Sequence, residues 1–308
     1  MSAKLNVQGL ARRDKGLGSL DGLCSYIEPS HPNCVFVSMD LGAGEPTVTA
    51  HYSQDTMYRY ATLEGIGKAP YWNAEDVLMI DDIYLMFMSS TASGKRIIRE
   101  AWDKDWNGLS FTDQWLKSSK VIKTHLDSDR QFFKMLALAL IYGMGPNRLQ
   151  KQSYEQFSVE LTETEAMSIY KGYWSTFAGV RALVQKMAQK AKQGFIVNPF
   201  GYRLTFDNSG VKGKDTTHKA CNYFIQSCVS GIMHLYNGYL EEECLYREIP
   251  FYFVTVIHDE TILEVPKDNL DVFKEAKSAA TERLNTLLRW SVPITIGLSV
   301  GNNFKEIK

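Results

Sequence analysis

Residues 251–265 read FYFVTVIHDETILEV. Two apolar, β-branched runs, Phe251 to Ile257 and Thr261 to Val265, flank His258-Asp259-Glu260, the pattern of two strands joined by a tight turn. Acids beside such runs are costly to bury unless they are paired or bound to metal. A second run of the same character, Val35 to Leu41, carries Asp40 near its end. If these strands lie side by side, Asp40 and Asp259 meet. Such a pair suits two Mg2+ ions about 3.5–4 Å apart, the arrangement that stabilises the attacking and leaving oxygens in phosphoryl transfer. Taken singly, an Asp-Glu in a turn is equally a turn former, so the pairing of the strands decides between the two.

Outward from that hairpin, residues 216–243 and 268–290 read as helices, with a strand at 293–299. Asn198-Pro199-Phe200-Gly201 is a turn between short strands at 195–197 and 202–206. Apolar spacing gives further helices at 46–60, 74–90, 95–118, 128–142 and 163–192. For 128–142, Ser128 and Gln131 stand at capping-box spacing, and Gly143 follows as a stop. Strands near both ends with helices between them predict an α+β protein, its helical middle inserted into a sheet-based part. Along the 128–142 helix, Arg130, Lys134, Leu138 and Tyr142 share one broad stripe. The cations stand towards the helix N-terminus, where the dipole also favours anions. The stripe therefore suits a triphosphate, with Tyr142 and Gly143 at the far end where a base could stack, or else a half-buried amphipathic helix with solvated cations. Asn222 and Gln226, one helical turn apart, present amides that can read minor-groove acceptors.

The chain has 308 residues, 44% of them hydrophobic and 22% charged, an ordinary globular balance. No apolar run is long enough to span a bilayer and no signal peptide opens the sequence. The five cysteines show no CxxC spacing, which argues for buried thiols in a reducing compartment over disulfides or zinc. The net charge of −1 is low for a nucleic-acid binder, but residues 117–151 hold five Lys and two Arg against two Asp. That surplus can face phosphates or form a solvated helical face.

In order and spacing, these elements resemble the family-A DNA polymerases, the DNA-polymerase-I-like enzymes. Asp40, Glu45, Ala50, His51 and Ser53 fall at the offsets of the family's first catalytic motif. Arg130, Lys134, Tyr142 and Gly143 match the second, and Val256-Ile257-His258-Asp259-Glu260 resembles the third, VHDE. Leu5-Asn6-Val7-Gln8 is similar to an LNxQ stretch upstream of the first motif. Asn198 to Arg203 resembles an LxGRR turn, and Gly301-Asn302-Asn303-Phe304 with Glu306 resembles the closing GxNWxE. The likeness spans nearly the whole chain.

The resemblance implies a right-hand polymerase fold reduced to palm (1–60 and 195–308) and fingers (61–194). It implies metal positions at Asp40, Asp259 and Leu41, with Mg2+ as the ion and Mn2+ as a substitute. Glu260 supports that site or touches the primer end. Lys134 and Arg130 neutralise the triphosphate of a dNTP, and Tyr142 with Gly143 guards the insertion site. Glu45 excludes a ribose 2′-hydroxyl. Leu138 stands where the family has an aromatic against the sugar. Asn6, Gln8, Arg203, Asn222, Gln226 and His258 face primer-template DNA. Nothing corresponds to a thumb or a 3′–5′ exonuclease, so the chain is either an excised fragment or part of a split polymerase, for which a partner polypeptide carrying the thumb, with or without the exonuclease, is expected. This reduced design points to a bacteriophage source and the host-cell cytoplasm. Two rival readings stay open: a single-subunit RNA polymerase fragment, and an inactive polymerase-like subunit that binds DNA.

Overall fold

The computed structural model describes residues 24–209 and 215–307. In chain order, strand β1 (Cys34–Asp40) leads into α1 (Gly44–Ser53), α2 (Thr56–Arg59) and a π-helical turn (Tyr60–Glu64). A short hairpin of β2 (Tyr71–Trp72) and β3 (Leu78–Met79) precedes α3 (Ile83–Ser89), α4 (Ala92–Trp102), α5 (Phe111–His125) and α6 (Asp127–Ile141). Helices α7 (Pro146–Phe157), α8 (Glu163–Thr176) and α9 (Ala178–Ala191) follow, then the hairpin β4 (Phe195–Val197) and β5 (Arg203–Thr205). Next come α10 (Ala220–Tyr246), β6 (Tyr252–Ile257), β7 (Glu260–Pro266), α11 (Leu270–Leu288) and β8 (Ser299–Gly301). This is the expected α+β mixture. Two compact units form, one from residues up to Glu45 together with Cys228 onward, the other from Pro46–Ser227. Asn6 and Gln8 lie outside the described residues. Among the described residues, no helix is long and apolar enough to cross a membrane.

In the first unit an antiparallel sheet runs β6-β7-β1-β8. The β1–β7 ladder is continuous from Cys34↔Pro266 to Asp40↔Glu260. Every residue of β1 but Asp40 is buried, which explains its unbroken apolar run. Helix α11 buries Phe273, Ala276, Ala280 and Leu284, a single stripe at helical spacing. From α10, the Tyr236 hydroxyl reaches Met39 Sδ of β1 at 3.3 Å. Cys24, Phe36, Ile257, Ile262, Phe304 and Ile307 form one core cluster. All five cysteines are free and buried, as their isolated spacing predicts.

Within β7, Glu264 clamps the loop before β1. It accepts from the amides of Ser30 at 2.9 Å and His31 at 3.0 Å, from Ser30 Oγ at 3.0 Å and from His31 Nδ1 at 2.7 Å. The His31 ring in turn stacks on Tyr252, with centroids 3.4 Å apart.

The second unit is helical. Asp55 caps α2 through the Tyr58 amide at 2.8 Å and also accepts the Gly179 amide of α9 at 2.7 Å. Several expected helices are shorter than their apolar spacing suggests. The helix expected at 46–60 stops at Ser53, and Asp55 starts a new one. The stretch 74–90 holds β3 and then α3, which begins only after its N-cap Asp82. The stretch 95–118 is split between α4 and α5 by a turn where Asn107 and Gly108 have φ of 57° and 77°. Phe177 breaks 163–192 into α8 and α9 with φ −114° and ψ 61°. The Ser128–Gln131 capping box does not form. Helix α6 starts at Asp127 behind Leu126 without a side-chain cap, and Gln131 Nε2 instead donates to Asp127 Oδ1 at 3.2 Å. A capping box does form at Thr162 and Glu165. In the first unit, the strand expected at 293–299 is reduced to a Leu41↔Ile296 bridge and the later β8, because Pro293 has no amide for a ladder.

Burial would raise the Glu264 carboxyl, but the donors of Ser30 and His31 outweigh it and hold the group below its ordinary value of 4.5. A depressed carboxylate stabilises the fold above its unfolded value and loses that contribution as pH falls through the folded one. We expect Glu264→Gln to cost about 1.5–3 kcal/mol at neutral pH. The wild-type advantage should shrink as pH drops below about 4.5, read as converging melting temperatures in acid scans.

Candidate active site

The decisive geometry is in the first unit. Asp40 ends β1 opposite Glu260, and the Leu41 amide donates to the Asp259 carbonyl at 3.0 Å. The β6–β7 hairpin pairs Ile257 with Glu260, leaving His258 and Asp259 as its tip. His258 adopts φ 56°, a left-handed conformation uncommon for residues other than glycine. The ladder thus brings Asp40, Asp259 and Glu260 to one end of the sheet, with His258 and Leu41 beside them. Asp40 is exposed, Asp259 and Glu260 half-buried, and Leu41 buried. Glu45 is half-buried in the first turn of α1.

Three neighbours of these acids were not read from the sequence. Ser38 Oγ donates to Glu260 Oε1; Ser38 lies two residues before Asp40 and so shares its face of the strand. Gly297 donates its amide to the Asp40 carbonyl at 2.7 Å, and a Cβ at Gly297 would run into the Asp40 carboxylate. Lys277 on α11 is held below its ordinary pKa by burial, against an upward pull from Asp40. Of these, only Ser38 carried a sequence signal, the strand alternation. Gly297 is a backbone approach that no spacing reveals.

The second unit carries the cationic stripe. Arg130, Lys134, Leu138 and Tyr142 are all half-buried, while Phe133, Leu136, Ala137, Leu140 and Ile141 face the interior. Arg130 Nε donates to Asp82 Oδ2 at 2.7 Å, and Lys123 Nζ lies 3.6 Å from the same oxygen. The Tyr84 ring sits 5.2 Å from the Arg130 guanidinium and 5.9 Å from Lys134 Nζ. Helix α6 ends as the glycine predicts. Tyr142 is its C-cap, Gly143 has φ 84°, and the Met144 amide reaches back to the Ala139 carbonyl at 3.0 Å, closing a Schellman turn.

Asn222 and Gln226 lie one turn apart on α10, Asn222 half-buried and Gln226 exposed. Asn222 Oδ1 is shielded from solvent without a hydrogen-bond partner among the described residues, the state of an acceptor that still has a donor to find. Arg203 on β5 is exposed, its guanidinium 4.2 Å over the Phe195 ring. The turn before it is fixed by Asn198 Oδ1, which accepts the amides of Phe200 at 3.0 Å and Tyr202 at 2.9 Å.

The model of DNA polymerase family A matches residues 93–306. The chain belongs to this family. It is 28% identical over 184 residues to the DNA polymerase theta of Caenorhabditis elegans, covering 58% of this chain and 11% of that protein. It is also 28% identical over 186 residues to the DNA polymerase I of Pseudomonas aeruginosa, covering 58% of this chain and 19% of the other. In structure it is similar to the POL domain of Pol1 from M. smegmatis, in complex with DNA primer-template and dNTP. There the TM-score is 0.71 at 16% identity, over 98% of this chain and 45% of that one. The chain thus spans a minor part of each relative's length. The matched region holds Asp259, Arg130 and Lys134. Asp40 lies before it and is tied to the Asp259 hairpin by the sheet register.

Among the described residues no group of three or more His, Cys, Asp or Glu stands ready to enclose a metal. A pair of hard carboxylates suits Mg2+, which keeps several waters and is bound through one or two carboxylates plus substrate phosphates. Asp40 and Asp259 fit that pattern. If Gly297 leaves the space that the Asp40 carboxylate occupies, Gly297→Ala should weaken Mn2+ binding by about 10–100-fold while changing the melting temperature little. Electron paramagnetic resonance titration measures the first and a thermal scan the second.

Proposed function

We propose that this chain is the nucleotide-adding part of a DNA polymerase. It transfers a dNMP from a dNTP to the 3′-hydroxyl of a primer paired to template DNA, releasing pyrophosphate. The observation that supports this most is the end of the β1–β7 ladder, where Asp40 pairs with Glu260 and the next residue, Leu41, bonds to the Asp259 carbonyl, in a chain of DNA polymerase family A. In this reading the sheet-bearing unit is the palm and α3 to α9 belong to the fingers.

Asp40 and Asp259 would hold Mg2+, or Mn2+ in its place, with the Leu41 main chain beside them. When bound, such a metal pair polarises the primer hydroxyl and balances the charge of the departing pyrophosphate. Ser38 keeps Glu260 directed at that end of the sheet. Arg130 and Lys134 balance the triphosphate charge, and Lys134 donates a proton to the departing pyrophosphate. Tyr142 and Gly143 border the base, with Leu138 against the sugar. Glu45 occupies the space a 2′-hydroxyl would need. His258, Arg203, Asn222 and Gln226 contact duplex near the primer end, together with Asn6 and Gln8. A partner polypeptide supplies the thumb, with or without a 3′–5′ exonuclease, in an enzyme of bacteriophage type.

Extension of a primed template in Mg2+ should fall by at least about three orders of magnitude in Asp40→Asn or Asp259→Asn. Template-dependent extension that survives either change would sink the assignment. Glu45→Ala should narrow the preference for dNTP over rNTP. Primer-template binding by the chain alone should weaken steeply as salt rises and recover when the partner is added. Tight, salt-resistant binding without a partner contradicts the divided enzyme.

A further inference from the structure

We infer that Asp82 is the positioning residue for Arg130, holding its guanidinium ready for the triphosphate of the incoming nucleotide. The inference rests on the role proposed above for Arg130.

Asp82 is 5% exposed, and its two carboxylate oxygens have separate tasks. Oδ1 caps α3, accepting the amides of Tyr84 and Leu85 at 3.0 Å each. Oδ2 accepts from Arg130 Nε at 2.7 Å. The cap fixes the carboxylate plane to the backbone of α3, a helix whose residues Leu85, Met86, Phe87 and Met88 have no solvent exposure. Arg130 is therefore tied to a rigid element across 48 residues of sequence. The bond uses Nε alone and does not consume the Nη1 and Nη2 pair, the edge that binds phosphate in bidentate fashion.

Two further features fit a positioning role better than a plain structural pin. Tyr84, the second residue after Asp82, spreads its ring under Arg130 and Lys134 together, so one short segment orients both cations of the stripe. Lys123 approaches the same Asp82 oxygen at 3.6 Å. Two cations, Arg130 and Lys123, thus share one carboxylate, which lowers their mutual repulsion before any nucleotide arrives. An arginine fixed in advance loses less side-chain freedom when the triphosphate binds.

Asp82→Asn separates the two tasks, because asparagine caps helices about as well as aspartate while lacking the charge that holds Arg130. Single-nucleotide incorporation on a primed template at low salt, with the partner chain included, should show the KM for dNTP raised on the order of tenfold. The Kd of a non-hydrolysable dNTP should rise alongside it, with kcat changed less. Arg130→Ala should raise the same KM, and the double variant should be no worse than Arg130→Ala alone. An unchanged or lowered KM in Asp82→Asn overturns the inference, as does a double variant in which the two effects multiply. If Arg130→Ala itself leaves KM and Kd unchanged, the proposed role of Arg130 fails, and that outcome is distinct from a failure of Asp82 alone. Asp82→Ala, which removes cap and charge together, gives the thermal-stability reference for the cap.

Discussion

The pairing of β1 with β7 is the constraint on which the rest depends. Its seven residue pairs fix which faces the side chains take and where the ladder ends. A slip of one residue would turn Asp40 to the opposite face and carry the apolar set with it. Both strands are almost wholly buried between neighbours, so a slip would mismatch close-packed side chains on both faces at once. The Glu264 clamp adds a polar restraint near the opposite end of the same ladder. A hydrophobic register thus sets the spacing of charged groups, which repel one another and would not assemble unaided.

The two units solve the problem of placing charge in different ways. In the sheet-bearing unit, backbone pairing positions acids at a strand end and a hairpin tip, and a glycine leaves them room. In the helical unit, a buried carboxylate at a helix start collects cations from α5 and α6. The first device needs a particular register; the second needs a particular cap. Both hold their charged groups on regular elements or in the tight turn that joins two of them.

The sequence disclosed elements whose signal is local or periodic. The alternation around His258-Asp259, the stop at Gly143, the four-residue spacing from Arg130 to Tyr142 and the turn at Asn198 were all legible, and the structure contains them. Helix breaks were read poorly because apolar spacing continues across them. The Asn107-Gly108 pair that divides α4 from α5 is a turn signal that the spacing masked, whereas Phe177 carries none. Contacts between distant residues leave no mark in local spacing. Nothing in the spacing links Asp82 to Arg130 or Gly297 to Asp40, since each depends on how separate elements approach in space. The Ser128 cap failed for a related reason: α5 runs into α6 through Leu126, so the chain never presents Ser128 as a free helix start.

The buried cysteines have a practical consequence. Burial pushes the Cys221 and Cys228 thiols up to about 12 and Cys244 up to about 11, so at neutral pH they hold almost no thiolate, the form that alkylating reagents attack. Cys24 and Cys34 are buried as well. A cysteine introduced on an exposed surface would accordingly take a fluorophore or spin label ahead of the five buried native thiols. A pair of such cysteines would give a distance between labelled positions in a chain that keeps all its native sulfur.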